Sequence, residues 1–191
     1  MAGHFTLHIA HFSFNRCYFV GKSGAVWGKM CIFDGEIHIK YVCMRFIGNI
    51  SGKTDAKGRV FMPAAFRKIL QAAGEQNIVL RKDVFQSCLV VYPESVWNGV
   101  MDMLRLRLNR WNRKEQQVFR QFVSDVEILT LDGNGRFLIP KRYLQMAAIQ
   151  QEVNLVGVDD TIEIWSAEAM AREQLPVDEF GKAVEEIMGE V

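Results

Sequence analysis

Apolar and polar positions along this chain fall into two matching series. An extended apolar segment, Phe46–Ile50 and again Val126–Leu131, is followed in each by a short polar turn, Asp55–Gly58 and Asp132–Gly135. The glycine that ends each turn supplies the positive φ a tight hairpin requires. A short apolar run comes next, Arg59–Met62 and Arg136–Ile139, and stops at Pro63 or Pro140. Proline cannot donate to a strand ladder but is tolerated in a first helical turn, so it closes a strand and opens a helix. Phe66, Ile69 and Leu70 then keep the spacing of one helical face. Strand patterns return at Ile78–Arg81 with Cys88–Tyr92, and at Val153–Val158 with Thr161–Trp165, the last two joined by the turn signal Asp159-Asp160. Each series predicts the order β-β-α-β-β.

The two series are one sequence written twice. A constant offset of 77 residues carries Asp55 to Asp132, Arg59 to Arg136, Pro63 to Pro140, Phe66 to Tyr143 and Asn77-Ile78-Val79 to Asn154-Leu155-Val156. A repeated unit of about 50 residues changes the expected fold, because it is too small to bury both faces of its strands alone. The expectation is a β-rich α+β fold in which tandem units form a pseudo-twofold barrel with flanking helices. Both polar turns would then lie at one end.

Between the units, Trp97, Met101, Leu104, Leu108 and Trp111 fall at steps of four and three, one apolar face of a helix. Arg105, Arg107, Arg110, Arg113 and Lys114 fill much of the remaining surface. A second helix is expected from Asn112, with Glu115 completing a capping box, towards Phe122. Phe180, Val184 and Ile187 predict a further amphipathic helix after Asp178. The expected organisation is an extension at 1–43, a first unit at 44–97, a helical linker at 98–121, a second unit at 122–172 and an acidic tail at 173–191. Residues 1–43 differ in style from the rest. A poorly ordered extension is expected there, with Met44 as the effective start; the alternative is a strand-rich appendage with a role of its own.

Composition narrows the function. No apolar run approaches the roughly 18 residues that span a bilayer, so no membrane partner is expected. Charge is unevenly placed: residues 44–172 hold 18 Lys and Arg against 14 acids, whereas 173–191 hold one Lys against six acids. A basic body is one step towards an anionic partner. His4, His8, His11, His38, Cys17, Cys31 and Cys43 all precede Met44, leaving only Cys88 and no histidine beyond it. No Cys-x-x-Cys pair exists. Catalytic triads and conventional metal sites therefore have few residues to draw on, and neither an enzyme nor a metal or cofactor is expected.

Other chemistries fail on detail. Gly21-Lys22-Ser23 resembles the end of a phosphate-binding P-loop, but Arg16 stands where its upstream glycine belongs. His4, His8 and His11 have helical spacing without a further ligand pattern. The stretch from Asp132 to Arg136 starts like a calcium loop, yet Arg takes the fifth position and no Glu the twelfth. Gly133-x-Gly135 lacks the third glycine of a dinucleotide fingerprint, and Glu163 has no partner acid.

What remains is the pattern Asp-x-x-x-Arg. An aspartate heading a turn accepts backbone N–H groups and fixes the loop, a role assigned to Asp55 and Asp132 with Gly58 and Gly135. Arg59 and Arg136 each present a planar fork that matches phosphate or the O6/N7 edge of guanine. Lys57 and Lys53 add point charges suited to phosphates. The competing interpretation is an internal ion pair that only stabilises the hairpin.

The two Asp-x-x-x-Arg-x-x-x-Pro motifs, "CLVVYPESVW" at Cys88–Trp97, "RQFVSD" at Arg120–Asp125 and "LVGVDDTIEIW" at Leu155–Trp165 together resemble the MraZ family, bacterial transcriptional regulators built from two SpoVT-AbrB domains. The resemblance runs from Met44 to about residue 172 and leaves out residues 1–43. It implies an AbrB-type barrel of swapped hairpins, ring-like homo-oligomers and a cytoplasmic, nucleoid-associated location. It also implies binding to G-containing repeats of double-stranded promoter DNA before the division and cell-wall gene cluster, as a repressor, with no small-molecule ligand. Carried over by position, the DNA contacts are Arg59, Lys57 and Arg136. Asn134 stands where the first unit has Lys57, so the first loop is expected to hold DNA more strongly. The rival expectation is an antitoxin-like AbrB module whose acidic tail grips a protein partner.

Overall fold

The computed structural model describes residues 44–189 throughout. Within the first 43 residues it describes the backbone of three strands, β1 (Cys17–Val20), β2 (Val26–Phe33) and β3 (Glu36–Lys40), paired antiparallel in that order. The His4, His8, His11 series and Gly21-Lys22-Ser23 lie outside the described residues. The elements that follow are β4 (Phe46–Lys53), β5 (Arg59–Phe61), α1 (Ala64–Ala73), β6 (Asn77–Lys82), β7 (Leu89–Pro93) and α2 (Glu94–Arg107). After these come α3 (Arg113–Ser124), β8 (Val126–Thr130), β9 (Arg136–Leu138), α4 (Lys141–Met146), β10 (Glu152–Asp159), β11 (Thr161–Ser166), α5 (Ala167–Glu173) and α6 (Val177–Gly189).

The two halves exchange strands. A six-stranded antiparallel sheet runs in the order β4-β10-β11-β7-β6-β8. Its first strand, β4, pairs with β10 of the second half, while β8 of the second half pairs with β6 of the first. Strands β7 and β11 meet in the middle. Reversing the order swaps the halves and leaves the sheet unchanged, which is the signature of a pseudo-twofold axis between β7 and β11. The short strands β5 and β9 pair with each other as a separate two-stranded ribbon, in the register Arg59↔Leu138, Val60↔Phe137 and Phe61↔Arg136.

The prolines act as their positions dictate. Pro63 and Pro140 occupy the N-caps of α1 and α4 with φ of −51° and −59°, ending one strand and opening one helix each. Helix α1 buries Phe66 and Leu70, and α4 buries Tyr143. The main core joins these to Val60 and Phe137 from the ribbon and to Phe46, Leu80, Val91, Leu155, Ile162 and Ile164 from the sheet. Phe46 meets Phe66 edge to face at 5.5 Å between ring centres. On the other side, Cys88, Val90, Trp165 and Ala169 form a smaller cluster under α5. Consecutive residues of β7 thus alternate between two cores, as period-two geometry requires.

Two sequence expectations change in the linker. Helix α2 starts at Glu94, directly behind Pro93, and ends at Arg107, so it does not carry one apolar face to Trp111. Leu108 is extended, and Trp111 is 96% exposed. The Asn109 side-chain oxygen accepts the Trp111 N–H at 2.9 Å, and the Asn109 carbonyl accepts the Asn112 N–H at 3.0 Å. These local turns compete with helical hydrogen bonding and stop α2. Helix α3 then begins as expected, with the Asn112 side chain accepting from Lys114 N–H and Glu115 N–H. Glu115 closes the cap on the Asn112 side-chain amide at 2.9 Å instead of its backbone.

Aromatic contacts dock this helical pair on the sheet. Tyr92 meets Trp97 at 5.4 Å, Trp97 stacks on Phe122 at 5.6 Å, and the Arg81 guanidinium lies 3.9 Å from the centre of the Phe122 ring. No helix among the described residues is long and apolar enough to cross a membrane.

Candidate functional site

Both Asp-headed turns are braced by the same bonds. Asp55 Oδ1 accepts the N–H groups of Lys57 and Arg59, each at 2.9 Å, while Oδ2 takes the Arg59 Nε at 2.7 Å. Asp132 Oδ1 accepts the N–H groups of Asn134 and Arg136, each at 2.9 Å, and Oδ2 takes the Arg136 Nε at 2.9 Å. Main-chain bonds complete the loops: Gly58 N–H donates to the Asp55 carbonyl, and Asp55 N–H to the Arg59 carbonyl, with the same pair at Gly135, Asp132 and Arg136. Gly58 and Gly135 hold φ of 84° and 78°, in the left-handed region.

These bonds also set the electrostatics. The backbone N–H of Arg59 is the largest influence holding the Asp55 carboxyl below its usual range, and the Arg59 guanidinium and Lys57 N–H act in the same direction. Asp132 is lowered likewise, first by the Arg136 N–H and then by its guanidinium and the Asn134 N–H. Each carboxylate stays charged and keeps its turn rigid.

The two turns are tied to one another. Met62 N–H donates to the Gly135 carbonyl at 2.9 Å, and Ile139 N–H to the Gly58 carbonyl at 3.0 Å. Thr54, just ahead of the first turn, donates its N–H and hydroxyl to the Gln151 and Gln150 carbonyls of the other half. The ribbon between the turns buries Val60 and Phe137, so its opposite face presents Arg59, Phe61, Arg136 and Leu138. Arg136 lies 5.7 Å from the Phe61 ring centre.

The internal ion pair therefore exists, and it leaves the guanidinium ends available. Only Nε of Arg59 and of Arg136 is engaged, and among the described residues the terminal nitrogens have no hydrogen-bond partner. Lys57 is exposed at the first turn. Lys53 ends β4, just ahead of the first turn, where Glu152 meets its charge at 3.4 Å. Two further residues belong to the surface, Phe61 and Leu138, which are 60% and 48% exposed. Alternation within each short strand could have found them, because residues two apart share a face. Arg67 also reaches the second turn, from α1, and no local sequence pattern marks that contact.

Groups with other possible chemistry have structural partners. Glu163 accepts the Trp165 indole N–H at 2.8 Å. Burial pushes the Cys88 thiol up to about 12, with the Glu163 and Asp83 carboxylates adding to the effect, so it is not nucleophilic at neutral pH. Among the described residues no group of three or more His, Cys, Asp and Glu is placed to hold a metal ion.

Fold and site together define a strand-exchanged, two-half α+β protein that presents paired arginine-bearing turns on one ribbon. The family described as "MraZ protein, putative antitoxin-like" matches residues 46–120 and 122–172. The chain belongs to the MraZ family. It is 64% identical over 146 residues to a transcriptional regulator MraZ of Phocaeicola vulgatus, covering 76% of this chain and 95% of that protein. A transcriptional regulator MraZ of Bacteroides fragilis is 59% identical over 147 residues, covering 77% and 93%. One of Saccharophagus degradans is 32% identical over 143 residues, covering 75% and 97%.

Proposed function

We propose that this protein is a sequence-specific, DNA-binding transcriptional regulator, non-enzymatic, that acts as a homo-oligomer. The observation that carries the reading is the pair of turns locked side by side, each with its arginine held at Nε and open at its terminal nitrogens. A two-stranded ribbon fits the major groove of DNA, and an arginine fork matches guanine O6/N7 or a phosphate. Arg59 and Arg136 read bases or phosphates, Lys57 contacts phosphate, and Lys53 contributes least because Glu152 already balances it. Bracing by Asp55 and Asp132 cuts the ordering cost of each contact.

The family resemblance supplies the finer expectations. The targets are G-containing repeats in the promoter of the division and cell-wall gene cluster, the outcome is repression, and the location is the nucleoid. Residues 44–97 and 122–172 form the two SpoVT-AbrB units around the 98–121 linker, with the six-stranded sheet and the ribbon as walls of one pseudo-twofold barrel. In a ring, several weak contacts act together through raised effective concentration. A gel shift on the chain's own upstream promoter tests this reading. Arg59→Ala and Arg136→Ala each weaken the shift while size-exclusion chromatography shows an unchanged oligomer; full binding by both variants refutes it.

A second reading rests on α6, which exposes Phe180, Val184 and Ile187 in an acidic segment. An antitoxin-like role would use this face to grip a protein. Under it, deleting residues 173–191 abolishes the main interaction in a pull-down and leaves DNA binding secondary.

A further inference from the structure

The second turn lacks the cation that the first carries, because Asn134 stands at the position of Lys57. Arg67 of α1 fills that place from the other half. It reaches 67 positions along the chain, and its Nη1 donates to the Asn134 carbonyl at 3.2 Å. The side chain lies flat on the turn's glycine: a β-carbon added to Gly135 would stand 2.6 Å from Arg67 Cδ and 2.8 Å from Cζ.

The offset of 77 residues carries Arg67 to Leu144, and Leu144 occupies the equivalent place on the first turn. Its Cδ1 lies 3.2 Å from a β-carbon built on Gly58. Each turn is thus covered by the helix of the opposite half. The turn that owns a lysine is covered by leucine; the turn that owns an asparagine is covered by arginine. Both end with one braced arginine and one additional cation.

The state of the Arg67 charge matters. Arg59 and Arg136 are each paired with an aspartate, whereas Arg67 forms no ion pair among the described residues. Its bond to a carbonyl fixes the guanidinium without neutralising it. Its Nε is buried without a partner, and Nη2 has no hydrogen-bond partner among the described residues. A fixed, unneutralised guanidinium beside a DNA-facing turn is suited to a phosphate oxygen.

We propose that Arg67 is the phosphate-binding cation of the second turn, supplied by exchange between the halves; this rests on the DNA-binding reading above. On this proposal the two turns are matched in charge, and Lys57 alone gives the first no advantage in holding DNA.

The test is fluorescence anisotropy on a labelled duplex carrying the chain's own upstream promoter, across a salt series. The variants are Arg67→Leu, Arg67→Lys and the transposition Arg67→Leu/Asn134→Lys, which rebuilds the first turn's arrangement on the second. Arg67→Leu is expected to weaken binding about tenfold and to lower the slope of log K against log salt by about one. Arg67→Lys keeps the slope, and the transposition restores both slope and affinity. Unchanged affinity and slope in Arg67→Leu overturn the proposal, with wild type binding and Arg59→Ala binding more weakly as the controls. Weakened binding that Asn134→Lys fails to restore assigns Arg67 a structural role and also overturns it. Absence of salt-dependent binding by wild type overturns the DNA-binding reading itself.

Discussion

One aspartate per turn carries a disproportionate share of local order: each takes two backbone N–H groups and a guanidinium on its two oxygens. The carboxyls lie below 3.8 when folded, so the folded protein gives up these protons more readily than the unfolded chain. Their stabilisation is complete above 3.8 and is lost as pH falls through the folded-state values. Calorimetry should therefore find a constant Tm gap between wild type and Asp55→Asn/Asp132→Asn across neutral pH, closing in acid below 3.8. Glycine is required three residues after each, at Gly58 and Gly135. Gly58→Ala forces a side chain into φ of 84° and brings its β-carbon to 3.0 Å from the Ile139 carbonyl oxygen. A loss of about 1–2 kcal/mol in denaturant unfolding is expected. These turns were legible in the sequence because their chemistry is local: Asp, Gly and Arg at fixed spacing specify the loop within five residues. Arg67 was not, because its partner is on the other half and only the folded chain brings them together.

At the scale of elements, proline and hydrophobic period located the strands of both halves and the helix inside each to within a few residues. The exceptions are α5, which no sequence expectation covered, and the end of α2, where the apolar spacing continues past Arg107 while Asn109 builds a turn. Periodicity records which face is apolar and carries no information on a side chain that competes for the backbone. Strand exchange was equally hidden from the residues themselves. The halves have the same alternation, so pairing β4 with β6 or with β10 satisfies the pattern equally well. The aromatic series Tyr92, Trp97 and Phe122, closed by Arg81, is what anchors α2 and α3 to the sheet. Phe122→Ala removes the stack and the ring beneath a buried guanidinium, and is expected to cost about 1–3 kcal/mol in chemical denaturation. It should leave the two turns, and the DNA binding proposed for them, unaltered.

For the whole molecule, pseudo-twofold exchange puts two small positive turns at one edge and makes each depend on the other half. The basic balance of residues 44–172 and the acidic tail are visible in the sequence, but the matching of charge between the turns emerges only from the fold. Affinity should accordingly reside in few groups, and it should be steeply salt dependent because phosphate contacts release counterions. The decisive measurement is the dissociation constant for the promoter duplex, by anisotropy over a salt series, for wild type and Arg59→Ala/Arg136→Ala. Each arginine removed is expected to cost about 1–3 kcal/mol of binding, with a shallower salt slope and an unchanged oligomer. A double variant that binds the duplex as tightly as wild type, with the same slope, would contradict the assignment of DNA to these turns.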